Sequence, residues 1–77
     1  MNMVLSNGTQ VCLDSLVKDS LSIKGSFHKG RPIYILFGIS SYLLIPYPIT
    51  WFPSYPLAKE AKTQLDLATT DLTLRNP

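Results

Sequence analysis

The chain has 77 residues and a mass of 8.6 kDa, which is the size of one small domain. Hydrophobic residues make up 45% of it and charged residues only 16%, whereas soluble domains average about 25% charged residues. This composition argues against intrinsic disorder, which requires low hydrophobicity and high charge. The net charge of +2 is too small and too scattered for a typical nucleic-acid-binding protein, so we expect no nucleic-acid partner.

The residue types also limit the chemistry that the chain can perform. Its single cysteine allows no internal disulfide. One cysteine and one histidine are also too few for a structural zinc site, which needs about four ligands. There is no glycine-rich phosphate loop, no pair of carboxylates at a useful spacing and no nucleophile beside a base. We therefore expect no enzyme activity, no bound metal and no cofactor.

Charge divides the sequence into three segments. Residues 1–31 form a polar N-terminal segment, residues 32–53 are uncharged and hydrophobic, and residues 54–77 are polar again. In the first segment, apolar residues recur every three to four positions from Val11 to Leu21. This spacing predicts a short amphipathic helix.

The uncharged segment has the character of a membrane span. Uncharged runs longer than about 18 residues are typical of transmembrane helices, and the residues from Ile33 to Ile45 are apolar on every side. Pro46 and Pro48 then interrupt the pattern, because proline lacks an amide donor and clashes with the preceding helical turn. We therefore predict a mainly α-helical protein with one hydrophobic, membrane-spanning helix that is interrupted by proline at its C-terminal end.

The last segment predicts a second short amphipathic helix, so that one such helix flanks the hydrophobic one on each side. Its apolar residues recur at intervals of three and four, at Leu57, Ala61, Leu65, Ala68 and Leu72. Beyond Leu67 several threonines lower the helix propensity. We expect the chain to end in a frayed tail there.

Eight residues are candidates for membrane and partner contacts. The packing candidates lie in the uncharged segment, at Gly38, Ser41, Tyr47, Trp51 and Phe52. Two of them are small and let a neighbouring helix approach, and the three aromatic ones fit the aromatic belt of a membrane interface. Lys24, Lys29 and Arg31 precede the segment, where they would contact lipid headgroups and favour an N-terminus inside the membrane.

These features predict a small, non-catalytic accessory subunit of a membrane protein complex, packed against larger membrane proteins in the lipid bilayer. The alternative is a small soluble α+β protein-interaction module without enzymatic activity. In that alternative, Ile33–Phe37 and Tyr42–Ile45 form a central hairpin with a turn at Gly38–Ser41, covered by the flanking helices. A charged residue at Leu36 or Leu43 would block membrane insertion in the first case and unfold the domain in the second.

Four further features have a functional and a simpler structural interpretation. His28 could ligate a cofactor, but no second ligand lies nearby in the sequence, which favours a solvated side chain. Cys12 lies on the apolar face of the first predicted helix, which indicates a buried, unreactive thiol. Asn7 begins a glycosylation sequon that matters only on the luminal side, and Pro53–Pro56 has PxxP spacing without a flanking arginine.

Overall fold

The computed structural model describes the backbone of residues 1–75 and the side chains of residues 1–71. In this part of the chain, five antiparallel strands precede a single α-helix. The elements in chain order are β1 (Asn2–Val4), β2 (Gln10–Cys12), a 3-10 turn (Leu13–Ser15), β3 (Ser22–His28), β4 (Arg31–Ile39), β5 (Pro46–Phe52) and α1 (Tyr55–Arg75).

The larger sheet consists of β3, β4 and β5, with β4 in the centre. β3 and β4 are joined by the turn Lys29-Gly30, whose residues both have positive φ, of 52° and 76°. This is type I′ geometry, which matches the twist of a hairpin. β1 and β2 form a separate hairpin, whose turn is fixed to β5 because Asn7 Nδ2 and Thr9 Oγ1 donate to Thr50 Oγ1 at 2.9 and 3.0 Å.

The hydrophobic core lies between one face of the larger sheet, the first hairpin and α1. Leu36 of β4, Phe52 of β5 and Leu65 of α1 are its largest fully buried side chains. Ala58 and Ala61 are also buried on α1, and their small side chains allow the helix to approach the sheet closely. Each large apolar side chain buried here stabilises the fold by roughly 1.5–3 kcal/mol.

The prediction of a mainly α-helical protein is wrong. Residues 32–53, expected as one hydrophobic helix, form most of β4 and the whole of β5. The β-branched and aromatic residues of this segment fit a pleated, half-buried surface. The predicted first amphipathic helix is wrong as well, because the residues from Val11 to Leu21 belong to β2, the 3-10 turn and the loop that leads to β3.

The membrane assignment is corrected for the same reason. Over the described residues, no helix combines the length and the apolar character that crossing a bilayer requires. The single-pass topology with the N-terminus inside was based on the hydrophobic segment. In the structure this segment is distributed over two strands and a loop. The prediction of a transmembrane accessory subunit therefore loses its structural basis.

Pro46 and Pro48 lie in an edge strand instead of interrupting a helix. Pro46 pairs with Ile39 and Pro48 with Phe37, both on β4. Residues two positions apart direct their nitrogens to the same side of a strand, so both prolines place the missing donor on the outer edge, away from β4. The register shifts between Leu36 and Phe37, which introduces a β-bulge at this point.

The architecture fits the α+β alternative, but its hairpins differ from the expected one. Gly38 lies within β4 and not in a turn, and Tyr42–Ile45 belongs to the loop between β4 and β5. The helix expected in the last segment is present as α1 and packs against the sheet. Residues 76–77 of the expected frayed tail lie outside the described residues.

A charged residue should be far more harmful at Leu36 than at Leu43. Leu36 is 0% exposed in the core, whereas Leu43 is 70% exposed. We expect Leu36→Asp to prevent folding, because burying an unpaired carboxylate is very unfavourable. Leu43→Asp should change the free energy of unfolding by less than about 0.5 kcal/mol. Urea denaturation followed by circular dichroism measures both effects, and similar losses in the two variants would contradict the core described above.

Candidate interaction surface

The sheet face opposite α1 carries apolar residues along its central strand. Ile33, Ile35, Phe37 and Ile39 alternate along β4 with the core residues and therefore project from the opposite face. All four are half-buried, and none of them packs against the core formed by residues 1–71. These four residues, termed the outer stripe, extend over about 20 Å at a rise of about 3.3 Å per residue.

The loop between β4 and β5 exposes four consecutive apolar side chains just beyond the outer stripe. The exposed fractions are 77% for Tyr42, 70% for Leu43, 71% for Leu44 and 53% for Ile45. Folded monomers rarely expose contiguous apolar groups on this scale unless the groups bind a partner. Tyr42–Ile45 is termed the apolar loop.

Ser40 fixes the conformation of the apolar loop. Its Oγ accepts hydrogen bonds from the backbone N–H groups of Tyr42 and Leu43, both at 3.2 Å. Its carbonyl accepts from the Leu44 N–H at 2.8 Å, and its own N–H donates to the Ile45 carbonyl at 3.1 Å. The backbone of the apolar loop is therefore fixed before any partner binds, which reduces the entropy that binding costs.

The apolar loop is also anchored to the rest of the molecule and contains backbone strain. The Ser41 N–H donates to the Ser15 carbonyl at 2.9 Å, and Ser41 Oγ donates to the Asp14 carbonyl at 3.1 Å. Leu44 has a φ of 57°, in the left-handed region. This conformation costs a leucine about 1–2 kcal/mol. Strain of this kind, at an exposed apolar residue, is typical of functional segments.

A cleft of about 660 Å³ opens at the other end of the outer face, beside the turn between β3 and β4. Its apolar walls include Pro32, Trp51 and Pro53, and its polar groups come from His28, Lys29 and Arg31. Trp51 is 52% exposed, and its ring centroid lies 6.3 Å from that of His28 with a tilt of 36°. This basic cleft offers an aromatic surface next to cationic side chains.

The structure brings together three of the eight residues predicted as contact residues. Lys29 and Arg31 line the basic cleft together with Trp51, although Trp51 is distant in sequence. Lys24 projects from β3 on the same face, because it pairs with Ile35 of the outer stripe. These residues were predicted to contact lipid headgroups and membrane partners, and here they border one open sheet face.

The remaining predicted contact residues lie elsewhere. Gly38 and Phe52 are buried in the core, and Tyr47 packs against it. Burial raises the pKa of the Tyr47 phenol. Ser41 lies at the base of the apolar loop, where it forms the hydrogen bonds described above. The residues of the apolar loop itself were assigned to a hydrophobic helix or to a buried hairpin, and their exposure could not be read from hydropathy.

Cys12 is exposed on β2, and the prediction of a buried thiol is therefore wrong. Ser15 Oγ donates to the Cys12 carbonyl at 2.9 Å, and the hydroxyl and backbone N–H of Ser15 favour the thiolate and lower the pKa of the thiol. Among the described residues, no group of three or more His, Cys, Asp and Glu side chains lies close enough together to hold a metal ion.

Comparisons with protein-family models, with curated proteins and with solved structures found no match to this chain. Its function is therefore inferred from the outer stripe, the apolar loop and the basic cleft.

Alanine should destabilise the protein at Gly38 but not at Gly25. A Cβ at Gly38 would lie 2.5 Å from Leu16 Cδ1 and 3.0 Å from Ile49 Cδ1, whereas a Cβ at Gly25 meets no described atom within 4 Å. We expect Gly38→Ala to lower the free energy of unfolding by about 1–3 kcal/mol. Gly25→Ala should leave it unchanged or raise it by up to about 1 kcal/mol. Urea denaturation of both variants tests this, and a Gly38→Ala variant of normal stability would mean that the core is loosely packed there.

Iodoacetamide should alkylate Cys12 with a pH midpoint below that of an ordinary cysteine. The thiolate is the reacting species, and the polar donor groups of Ser15 lower the pKa of the Cys12 thiol, so the thiolate forms at lower pH in the folded protein. We expect Ser15→Ala to move the midpoint upward, towards the usual range, and Ser26→Ala, on another element, to leave it unchanged. Mass spectrometry of alkylation rates against pH measures the midpoint. An unchanged midpoint in Ser15→Ala would contradict the role of Ser15.

Proposed function

We propose that this chain is a non-catalytic protein-interaction module that binds another protein through the apolar loop and the outer stripe. The apolar loop carries this proposal, because its four consecutive apolar side chains are between 53% and 77% exposed and are nevertheless held by Ser40. Apolar side chains that are exposed and fixed in position have the properties of interface anchors. A partner that covers them removes apolar surface from water.

The shape of the surface favours a protein partner over a small molecule. Small-molecule sites are concave and enclose most of their ligand. The outer stripe is instead an open sheet surface about 20 Å long, which can receive an extended or helical segment of another protein. The apolar loop lies at one end of this surface and adds a protruding contact.

The chemistry of the surface supports binding without catalysis. His28, the histidine of the chain, lies in the basic cleft beside Lys29 and Arg31. The part of the cleft that the structure describes is lined by neither a carboxylate nor a thiol. A histidine among cations lacks the orienting acid or nucleophile that general-base chemistry uses.

Leu44→Asn should separate folding from binding. Asparagine adopts the left-handed backbone conformation more readily than leucine, so we expect the free energy of unfolding to stay the same or to rise by up to about 1 kcal/mol. Binding to the partner should weaken at least about tenfold, because the substitution removes an apolar anchor. Leu67→Asn is the matched control, since Leu67 is 67% exposed on α1, away from the proposed surface.

The partner can be identified with a photo-reactive amino acid placed at position 43, in the full chain expressed in its own cells. Position 67 serves as the control site. We expect a protein adduct from position 43 that position 67 does not give. Calorimetry with the purified partner then compares the wild type with Leu44→Asn and Leu67→Asn. An affinity that Leu44→Asn leaves unchanged, or adducts that are identical from both positions, would contradict the proposed function.

A further inference from the structure

We propose that the basic cleft binds an acidic side chain of the partner, next to an apolar residue of the same segment. This inference rests on the proposed protein-binding function and specifies the chemistry of the partner. The partner segment is acidic at the end that enters the cleft and apolar along the part that covers the outer stripe.

Within residues 1–71, no ion pair neutralises the cationic side chains of the cleft. The two ion pairs formed within residues 1–71 lie elsewhere: the N-terminal amine of Met1 pairs with Asp14 at 2.6 Å, and Lys62 pairs with Asp66 at 3.0 Å. Neither pair involves a residue that lines the cleft. A carboxylate from outside the chain therefore finds uncompensated positive charge at this place.

Arg31 lies on the same face as the outer stripe, because it is two residues before Ile33 on β4. His28 pairs with Arg31 across β3 and β4, and Trp51 pairs with Ile35 across β4 and β5. Residues paired across an antiparallel ladder project to the same face of the sheet. The guanidinium of Arg31 can hold a carboxylate through two parallel hydrogen bonds, while the indole of Trp51 provides apolar contact for the neighbouring side chain.

The arrangement favours an acidic protein segment over single-stranded nucleic acid. Proteins that bind single strands use successive aromatic rings for stacking and distribute cations along the whole path of the backbone. Here the cleft contributes the rings of Trp51 and His28 at one end, and the outer stripe that follows is aliphatic except for Phe37. A nucleic acid would leave most of the outer stripe and the whole apolar loop without a suitable contact.

The distance between the two ends determines the length of the partner segment. The path along β4 from Arg31 to Ile39 corresponds to about eight residues of extended chain, or about 26 Å. Because successive residues of an extended segment point in opposite directions, apolar residues at alternate positions would contact the outer stripe. The expected pattern is thus an acidic residue followed by alternating apolar residues.

Selection of random peptides displayed on phage tests the inference with the full chain as bait. We expect the wild type to enrich peptides in which Asp or Glu adjoins apolar residues. A Lys29→Asn, Arg31→Gln double variant should still enrich apolar peptides but lose the acidic preference. Asparagine at position 29 retains the positive φ of the type I′ turn, so the hairpin is preserved.

The outcomes separate the two proposals. Apolar enrichment without acidic preference in the wild type would overturn the role of the cleft and leave the proposed function standing. No enrichment of apolar peptides would contradict the proposed function itself. Enrichment of the same acidic peptides by the double variant would also overturn the role of the cleft.

Trp51 provides a direct readout, because it is the single tryptophan of the chain and lies in the cleft. Titration with a selected acidic peptide should change its fluorescence saturably, and Arg31→Gln should weaken binding at least about tenfold. Lys59→Gln, which removes one exposed charge from α1, is the matched control and should leave the affinity unchanged. A tighter, saturable response to oligothymidylate than to the peptide would assign the cleft to nucleic acid and overturn the inference.

Discussion

The alternation of side chains along β4 determines both the core and the candidate interaction surface. Leu36 projects into the core and is buried there, and Gly38 is buried beside Leu16 and Ile49, whereas Ile35 and Phe37 project the other way. Antiparallel sheets with one solvated face usually carry polar residues on that face. β4 is apolar on both faces, and within the described chain a structural layer covers only one of them. The outer face is thus apolar but uncovered by the described chain, and this is the physical reason to expect a partner there.

The apolar loop does not stabilise the fold in the way that the core does, although both are apolar. Core residues gain stability by burial, but Leu44 is exposed and also adopts a backbone conformation that disfavours leucine. The hydrogen bonds of Ser40 offset part of this cost within the chain. Association with a partner would bury the side chain and offset the rest. Functional segments commonly contain strained or exposed residues that lower the stability of the fold but contribute to binding.

The sequence predicted α1, but it did not predict the sheet or the loop, and it assigned Lys29 and Arg31 to lipid headgroups and not to a cleft. The uncharged residues from Pro32 to Ile39 conceal the two-residue period of a strand, so the segment resembles a buried helix. Pro46 and Pro48 were interpreted as helix breakers, although edge strands also accept proline. The position of Trp51 in the basic cleft depends on strand register, which local sequence does not encode. The α+β alternative contained the correct class because the same residues also favour strands.

The two ends of the outer face have opposite character, and this asymmetry has a consequence for recognition. An apolar surface alone binds without a preferred direction, because the hydrophobic effect is not directional. The cations of the basic cleft lie at one end of the outer stripe and the apolar loop lies beyond the other end. A partner segment with one acidic end would therefore bind in a single direction, since the reverse orientation would place its charge against apolar side chains. Apolar contacts would thus provide most of the affinity, and charge would determine orientation and specificity.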